Sequence, residues 1–301
     1  MSIIEAALSR LRQRALGTGG PPTWLRPVPS WAGAQEPDPS RREITFDRGR
    51  LRAAGYLPEE ALEEQFQDYY REIKRHVIRR ALAPDVPADR RLILVTSALP
   101  GEGKTFTAVN LALSLARERD VSVLLVDADF PKSHVGEALG VHEEPGLLEA
   151  IEDEALDVES LVLRTSIKGL EILPAGRAAS GAVELVTSVR MAEIAARLLA
   201  RNPRRLVVLD SAPLLASSVA RALLELPGQI ILVARAGQTP RLALQDAIAH
   251  IEKKKLTGLV LNDAYLTSHA GYYGYGGSYG YGGDHSGEPA PGASGGPAGE
   301  P

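Results

Sequence analysis

Short, unbroken apolar runs recur along this chain, each separated from the next by a longer amphipathic stretch. The runs are Leu92–Ser97, Val121–Asp127, Leu170–Pro174, Arg205–Asp210, Gln229–Ala234 and Gly258–Asn262. Runs of this length without polar alternation read as strands buried on both faces of a parallel sheet. The segments 104–119, 146–153, 158–164, 181–201, 215–225 and 239–255 read as helices. Strands alternating with helices predict an α/β domain of three layers, with a mainly parallel sheet, over about 82–265. That is long enough for a substantial core.

The flanks have a different composition. Residues 2–15 read as a helix with Ile3, Ile4, Ala7, Leu8 and Leu11 on one face. Six prolines then fall between Pro21 and Pro39, among them both tryptophans, Trp24 and Trp31. This stretch reads as an extended or flexible linker. A short strand is expected near Ile44–Phe46, and a charged helix from Pro58 to about Leu82, with acidic residues in its first turns to suit the helix dipole. After Leu266 the apolar pattern stops. Six of the nine tyrosines lie between Tyr265 and Tyr281, and twelve of the 29 glycines between Gly271 and Gly299. Too few aliphatic groups remain there to offset chain entropy, so disorder is expected. The boundaries read from this are a short helix and linker over 1–42, a folded domain over 43–266 and a tail over 267–301.

Several chemistries are excluded early. With no cysteine there is no disulfide, thiolate zinc site, iron–sulfur cluster or cysteine nucleophile. A net charge of −4 gives no global attraction to nucleic acid. No apolar run reaches the length of a membrane span, and the N-terminus lacks the apolar core of a signal peptide. The expectation is a cytoplasmic chain with no membrane segment of its own.

The strand Leu92–Ser97 runs directly into Ala98-Leu-Pro-Gly-Glu-Gly-Lys-Thr105, the P-loop pattern with alanine at its first glycine position. Gly101 and Gly103 let the backbone curl so that its N–H groups converge on phosphate oxygens, and the helix that follows adds its N-terminal dipole. Lys104 is expected to bridge the outer phosphates and Thr105 to hold Mg²⁺; Glu102 and Phe106 complete the nucleotide-binding stretch. Two further strands end in acids, Asp127-Ala-Asp129 and Asp210-Ser-Ala-Pro213. A carboxylate at the C-terminal end of a buried parallel strand faces the ligand crevice. Asp210 reads as a metal-holding acid. Asp127 and Asp129 suit either Mg²⁺ ligation or proton acceptance from an attacking hydroxyl, and helix capping is the alternative for each acid.

These motifs, with the tyrosine-glycine cluster Tyr272-Tyr-Gly-Tyr-Gly-Gly-Ser-Tyr-Gly-Tyr281, resemble the bacterial tyrosine kinases of capsule and exopolysaccharide biosynthesis. In particular, the chain is similar to their stand-alone exosortase-associated type, within the wider MinD/ParA-like P-loop group. The resemblance covers about residues 43–283. It implies ATP and Mg²⁺ as cofactors, Lys104, Asp127 and Asp129 as catalytic residues, and Thr105, Asp127 and Asp210 at the metal. It makes Tyr272, Tyr273, Tyr275, Tyr279 and Tyr281 phosphoacceptors, used in trans. It implies homo-oligomerisation through Asp68, Arg71 and Lys74 on the 58–82 helix, where Asp and Lys replace the family's Glu and final Arg. It also implies a membrane-embedded chain-length regulator or co-polymerase as partner, which would hold the chain at the inner membrane.

Two departures from the family stand out: Phe130-Pro131-Lys132 follow the paired acids where arginines are usual, and Ser211-Ala212-Pro213 follow Asp210. Arg235 and Thr239 also resemble the family's segment after the fifth strand, and Asn262, at the end of the last strand, is expected to approach the adenine; strand-end capping is the alternative for each. The competing readings are a MinD/ParA-like ATPase that organises a membrane complex without kinase activity, and a non-catalytic ATP-binding scaffold. The stretch Ser97-Ala98-Leu99 lacks the extra P-loop lysine of partitioning ATPases, which favours the kinase.

Overall fold

A computed structural model describes residues 41–264, apart from Pro131 and 178–181, together with Ile3, Ile4, Ala6, Ala7 and Ser9 near the N-terminus. Those five residues are helical, and Ile4 and Ala7 are buried. The proline-rich linker and the tyrosine tail, with Tyr272, Tyr273, Tyr275, Tyr279 and Tyr281, lie outside the described residues.

Eight strands form one sheet: β1 (Glu43–Ile44), β2 (Leu92–Ser97), β3 (Ser122–Ala128), β4 (Leu163–Thr165), β5 (Leu170–Leu173), β6 (Arg205–Ser211), β7 (Gln229–Arg235) and β8 (Leu256–Asn262). Their order is β1-β4-β5-β3-β6-β2-β7-β8. Every pairing is parallel except β4 with β5. The helices are α1 (Arg48–Ala53), α2 (Glu63–Ala81), α3 (Lys104–Ala116), α4 (His134–Leu139), α5 (Leu147–Glu152), α6 (Ala182–Val186), α7 (Val189–Ala200), α8 (Ser218–Leu223) and α9 (Arg241–Ala249). Alternate residues of the central strands feed two separate cores. Leu92, Leu94, Leu124, Val126, Val207 and Leu209 enter one; Ile93, Val95, Val123, Leu125, Leu206 and Val208 enter the other. Strands buried on both faces have no polar face to show, which is why they read as continuous apolar runs.

Helix α2 joins the second core through Tyr70, Val77 and Ala81, with Phe66 and Ile73 packed beside them. That spacing is one stripe of a helix. Glu63 and Glu64 open it and Arg79 and Arg80 close it, matching the macrodipole.

The structure differs from the sequence expectation in four places. Residues 158–164 are not a helix: a short 3-10 turn spans Val158–Leu161, and Leu163–Thr165 is strand β4. Gly169, at φ +82°, closes a tight connection that folds β4 back against β5, so the apolar run pairs on the sheet instead of coiling. The helix expected over 181–201 breaks at Ser188, whose hydroxyl accepts from the Met191 N–H at 3.2 Å and starts α7 afresh. Helix α9 stops at Ala249, well short of Lys255. Helices α1 and α4 were not anticipated; each has only six residues, too few to show a period.

A buried charge network ties the start of the domain to the sheet. Arg41 donates to Glu159 at 2.6 Å and Glu171 at 2.7 Å, while Arg205 donates to Glu159 and, at 2.7 Å, to Glu171. Arg205 is only 2% exposed. Removing Arg205 leaves two buried carboxylates sharing the single cation of Arg41, with one negative charge uncompensated, a large cost. Arg205→Met is therefore expected to lower stability by about 3–5 kcal/mol in urea unfolding.

Candidate functional site

Strand β2 ends at Ser97 in the centre of the sheet, flanked by β6 and β7. The loop that follows turns on Gly101 (φ +80°) and Gly103 (φ +93°) before α3 begins at Lys104. Both glycines lie in the left-handed region where a side chain is strained. At Gly103 there is a second reason: a Cβ would sit 2.0 Å from Asn262 Nδ2.

The loop is held from below and from the side. Glu102 is buried, and its carboxylate accepts from the Leu99 N–H at 2.8 Å and from the Thr239 hydroxyl. Asn262 Nδ2 donates to the Glu102 carbonyl at 3.1 Å, and Arg235 Nη1 reaches the Gly101 carbonyl at 3.4 Å. Arg235 is itself paired with Asp263 at 2.9 Å. Arg235, Thr239 and Asn262 thus clamp the loop, and Asp263 joins them. Asp263, at φ +55°, is visible in the sequence only as the acid after a strand-end asparagine. The Glu102 side chain is spent on this scaffold. The Phe106 ring points away too, packing edge-on against Phe66 at 5.5 Å.

The acids come together because their strands are neighbours in register. Asp127 on β3 pairs directly with Asp210 on β6, and β6 adjoins β2. Lys104, Thr105, Asp127, Asp129 and Asp210 are all buried at these strand ends. Their environments differ sharply. Asp127 is satisfied: Oδ2 accepts from the Ser133 hydroxyl at 2.8 Å and the Gly136 N–H at 3.1 Å, and Oδ1 from the Asp129 N–H at 3.2 Å. It braces the turn into α4. Burial still pushes its carboxyl up to about 6. Asp129 faces Lys104 Nζ at 3.6 Å; burial raises its pKa and the lysine opposes that rise.

Neither oxygen of Asp210 accepts a hydrogen bond among the described residues. Burial, and then the Asp127 charge, push its carboxyl up to about 8. Lys104 and the nearby Thr105 hydroxyl oppose this, although the hydroxyl makes no hydrogen bond of normal geometry to Asp210. A buried carboxylate with no partner is costly unless a cation completes it. No group of three acids or histidines suited to caging a metal exists among the described residues. That fits Mg²⁺, which takes one or two protein oxygens and shares the rest with phosphates and water. Of the strand-end acids, Asp210 is the one left without a hydrogen-bond partner among the described residues, with Thr105 close by.

Asp68, Arg71 and Lys74 do not form one free row on α2. Asp68 and Arg71 pair with each other at the surface at 2.8 Å, whereas Lys74 turns inward to Glu118 at 2.6 Å and to the Ser114 carbonyl.

The comparisons agree with this architecture. The AAA domain family model matches residues 90–256. The tyrosine-protein kinase YwqD of Bacillus subtilis is 33% identical over 193 residues, covering 62% of this chain and 79% of that protein. The tyrosine-protein kinase wzc of Salmonella typhimurium is 27% identical over 63% of this chain, which spans only 26% of that longer protein. Among solved structures, the VpsO kinase domain is 32% identical with a TM-score of 0.54, covering 65% of this chain and 98% of that one. The kinase domain of the Escherichia coli tyrosine kinase ETK shares the fold at a TM-score of 0.58 and 23% identity, covering 77% of this chain and 98% of that one. With its AAA-domain core and this degree of likeness to YwqD across most of that protein, the chain belongs to the bacterial tyrosine kinase family of P-loop proteins.

Proposed function

We propose that this chain is a Mg-ATP-dependent tyrosine autokinase that phosphorylates the tyrosine cluster of a second copy. The observation that supports it best is the division of labour among the strand-end groups. Lys104 stands at the loop, Asp129 stands beside it, and Asp210 has no hydrogen-bond partner among the described residues. On this reading Lys104 holds the outer phosphate oxygens, and the loop N–H groups cradle the rest. Mg²⁺, when bound by Thr105 and Asp210, neutralises phosphate charge. Asp129 accepts the proton of the incoming tyrosine hydroxyl as its oxygen bonds to phosphorus and the link to the leaving diphosphate breaks. Asp127, already satisfied by three donors, orients the Asp129 turn and lies within the same acid cluster as the metal position.

The domain boundaries follow: residues 1–42 as helix and linker, 43–266 as kinase domain, and 267–301 as substrate tail. About ten glycine-rich residues span roughly 16–19 Å, enough to carry Tyr272, Tyr273, Tyr275, Tyr279 and Tyr281 toward a neighbour's site. The relatives' roles suggest regulation of exopolysaccharide polymerisation or export. A membrane-embedded chain-length regulator would then hold this cytoplasmic chain at the inner membrane. No helix among the described residues is long and apolar enough to cross a membrane.

The test is phosphotyrosine formation by the purified chain with Mg-ATP, with and without the cytoplasmic segment of such a partner, alongside a truncation after Leu266. Phosphotyrosine that vanishes in the truncation supports the reading. ATP hydrolysis without phosphotyrosine under every condition would point to an organising ATPase instead.

A further inference from the structure

A cleft of about 430 Å³ opens between α2, the C-terminal end of α3 and the β4–β5 turn, lined among others by Arg48, Arg71, Lys74, Arg117 and Lys168. Glu63 is the one acid in its lining. We propose that this cleft is a phosphotyrosine-binding site whose ligand is the phosphorylated tyrosine-rich tail of another copy. The inference rests on the reading that the tail is phosphorylated.

Two features select this chemistry. The first is uncompensated charge. Arg117 meets only the neutral amide oxygen of Gln67, and Lys168 forms no hydrogen bond or ion pair among the described residues. Arg48 is paired with Glu63, yet burial and then the neighbouring Arg52 and Arg117 lower its pKa, so these cations press on one another. A dianionic phosphate relieves that repulsion with charge-assisted hydrogen bonds. The second feature is the cleft's apolar side. Leu113, Ala116 and Ile167 line it and are only partly buried in the core beneath. A phenyl ring has surface to bury there, and a free phosphate or a glutamate does not. The chain itself carries that ligand five times between Tyr272 and Tyr281. Arg71 and Lys74 belong both to this cleft and to the expected self-association helix.

The experiment uses the phosphatase-treated full-length chain and synthetic peptides of residues 270–283, unphosphorylated or phosphorylated at Tyr275 and Tyr279. Binding is followed by fluorescence anisotropy. Synthetic phosphopeptides need no kinase activity, so this test fails or succeeds independently of the kinase assay. The phosphopeptide is expected to bind at least about tenfold tighter than its unphosphorylated form. The double variant Arg117→Glu, Lys168→Glu is expected to lose at least about that factor, and Arg117→Gln, Lys168→Gln part of it, with thermal melting unchanged. Three results would each overturn the proposal. One is equal binding of the two peptides. Another is undiminished phosphopeptide binding by the folded double variant. The third is displacement by inorganic phosphate as effective as by the phosphopeptide, which would make the cleft a general anion site.

Discussion

Lys104→Met is expected to lower the rate of phosphotyrosine formation by roughly 10²–10³ at saturating Mg-ATP, the range for losing one preorganised electrostatic contact to a developing charge. Lys104 is the cation placed at the loop, buried, with Asp129 as its partner at 3.6 Å. Methionine keeps the length and the apolar stem and removes only the ammonium. The loss should therefore appear in chemistry more than in folding. Asp129→Asn probes the other half of the pair: it keeps the shape but cannot accept a proton, so the rate should fall without weakening nucleotide affinity to the same degree. Initial rates and fluorescent-nucleotide binding separate the two effects. A Lys104→Met rate near that of the parent would remove Lys104 from the reaction.

Asp210→Asn should do the opposite to stability and activity. The Asp210 carboxyl is buried beside Asp127 with no hydrogen-bond partner among the described residues, so either ionising it there or keeping it protonated near neutral pH costs stability. The amide removes that charge, and the metal-free protein is expected to melt roughly 4–10 °C higher. Mg-ATP binding should weaken sharply in the same variant. The pH dependence has a definite sign. The carboxyl is pushed up to about 8 in the folded chain, from roughly 3.9 when unfolded. Between those values the folded state holds more protons, so stability is fully present below about 4 and is lost as pH rises through 8. Asp127, pushed up to about 6, adds to the same trend. Thermal melting of the metal-free parent should fall across this window, and the Asp210→Asn variant should show a shallower fall. A parent melting temperature independent of pH would mean that Asp210 already has a partner.

The trade between these two variants shows how the site is built. A fold that satisfies every buried group has no reason to take a cation. Among the described residues Asp127 receives three donors, Asp129 a lysine and Asp210 none. Stability is given up at one position, and on the proposed function a bound Mg-nucleotide restores it.

Much of this was legible without coordinates. The six apolar runs all became strands, and the P-loop glycines both adopted positive φ. What escaped was short or shared. Helices α1 and α4 have six residues each, and β4 has three, so neither period had room to appear. The break at Ser188 needed a hydroxyl to choose the backbone N–H of Met191 over helix continuity, a choice set by where α6 and α7 each pack. Asp263 and the cations Arg117 and Lys168 carried no motif at all.

Hydrophobic period, glycine spacing and strand-end acids are local properties. They wrote the strand, loop and helix of residues 92–116 into the chain before any packing, because backbone sterics and burial act over a few residues. Which acid keeps a partner is not local. Asp127, Asp129 and Asp210 are the same residue type in the same kind of position, and only the register of β3 on β6 and the approach of Ser133, Gly136 and Lys104 tell them apart. The cationic cleft is likewise assembled from α1, α2, α3 and the β4–β5 turn, whose residues are up to 120 positions apart, from Arg48 to Lys168. Their charges act on one another only through the space that folding closes.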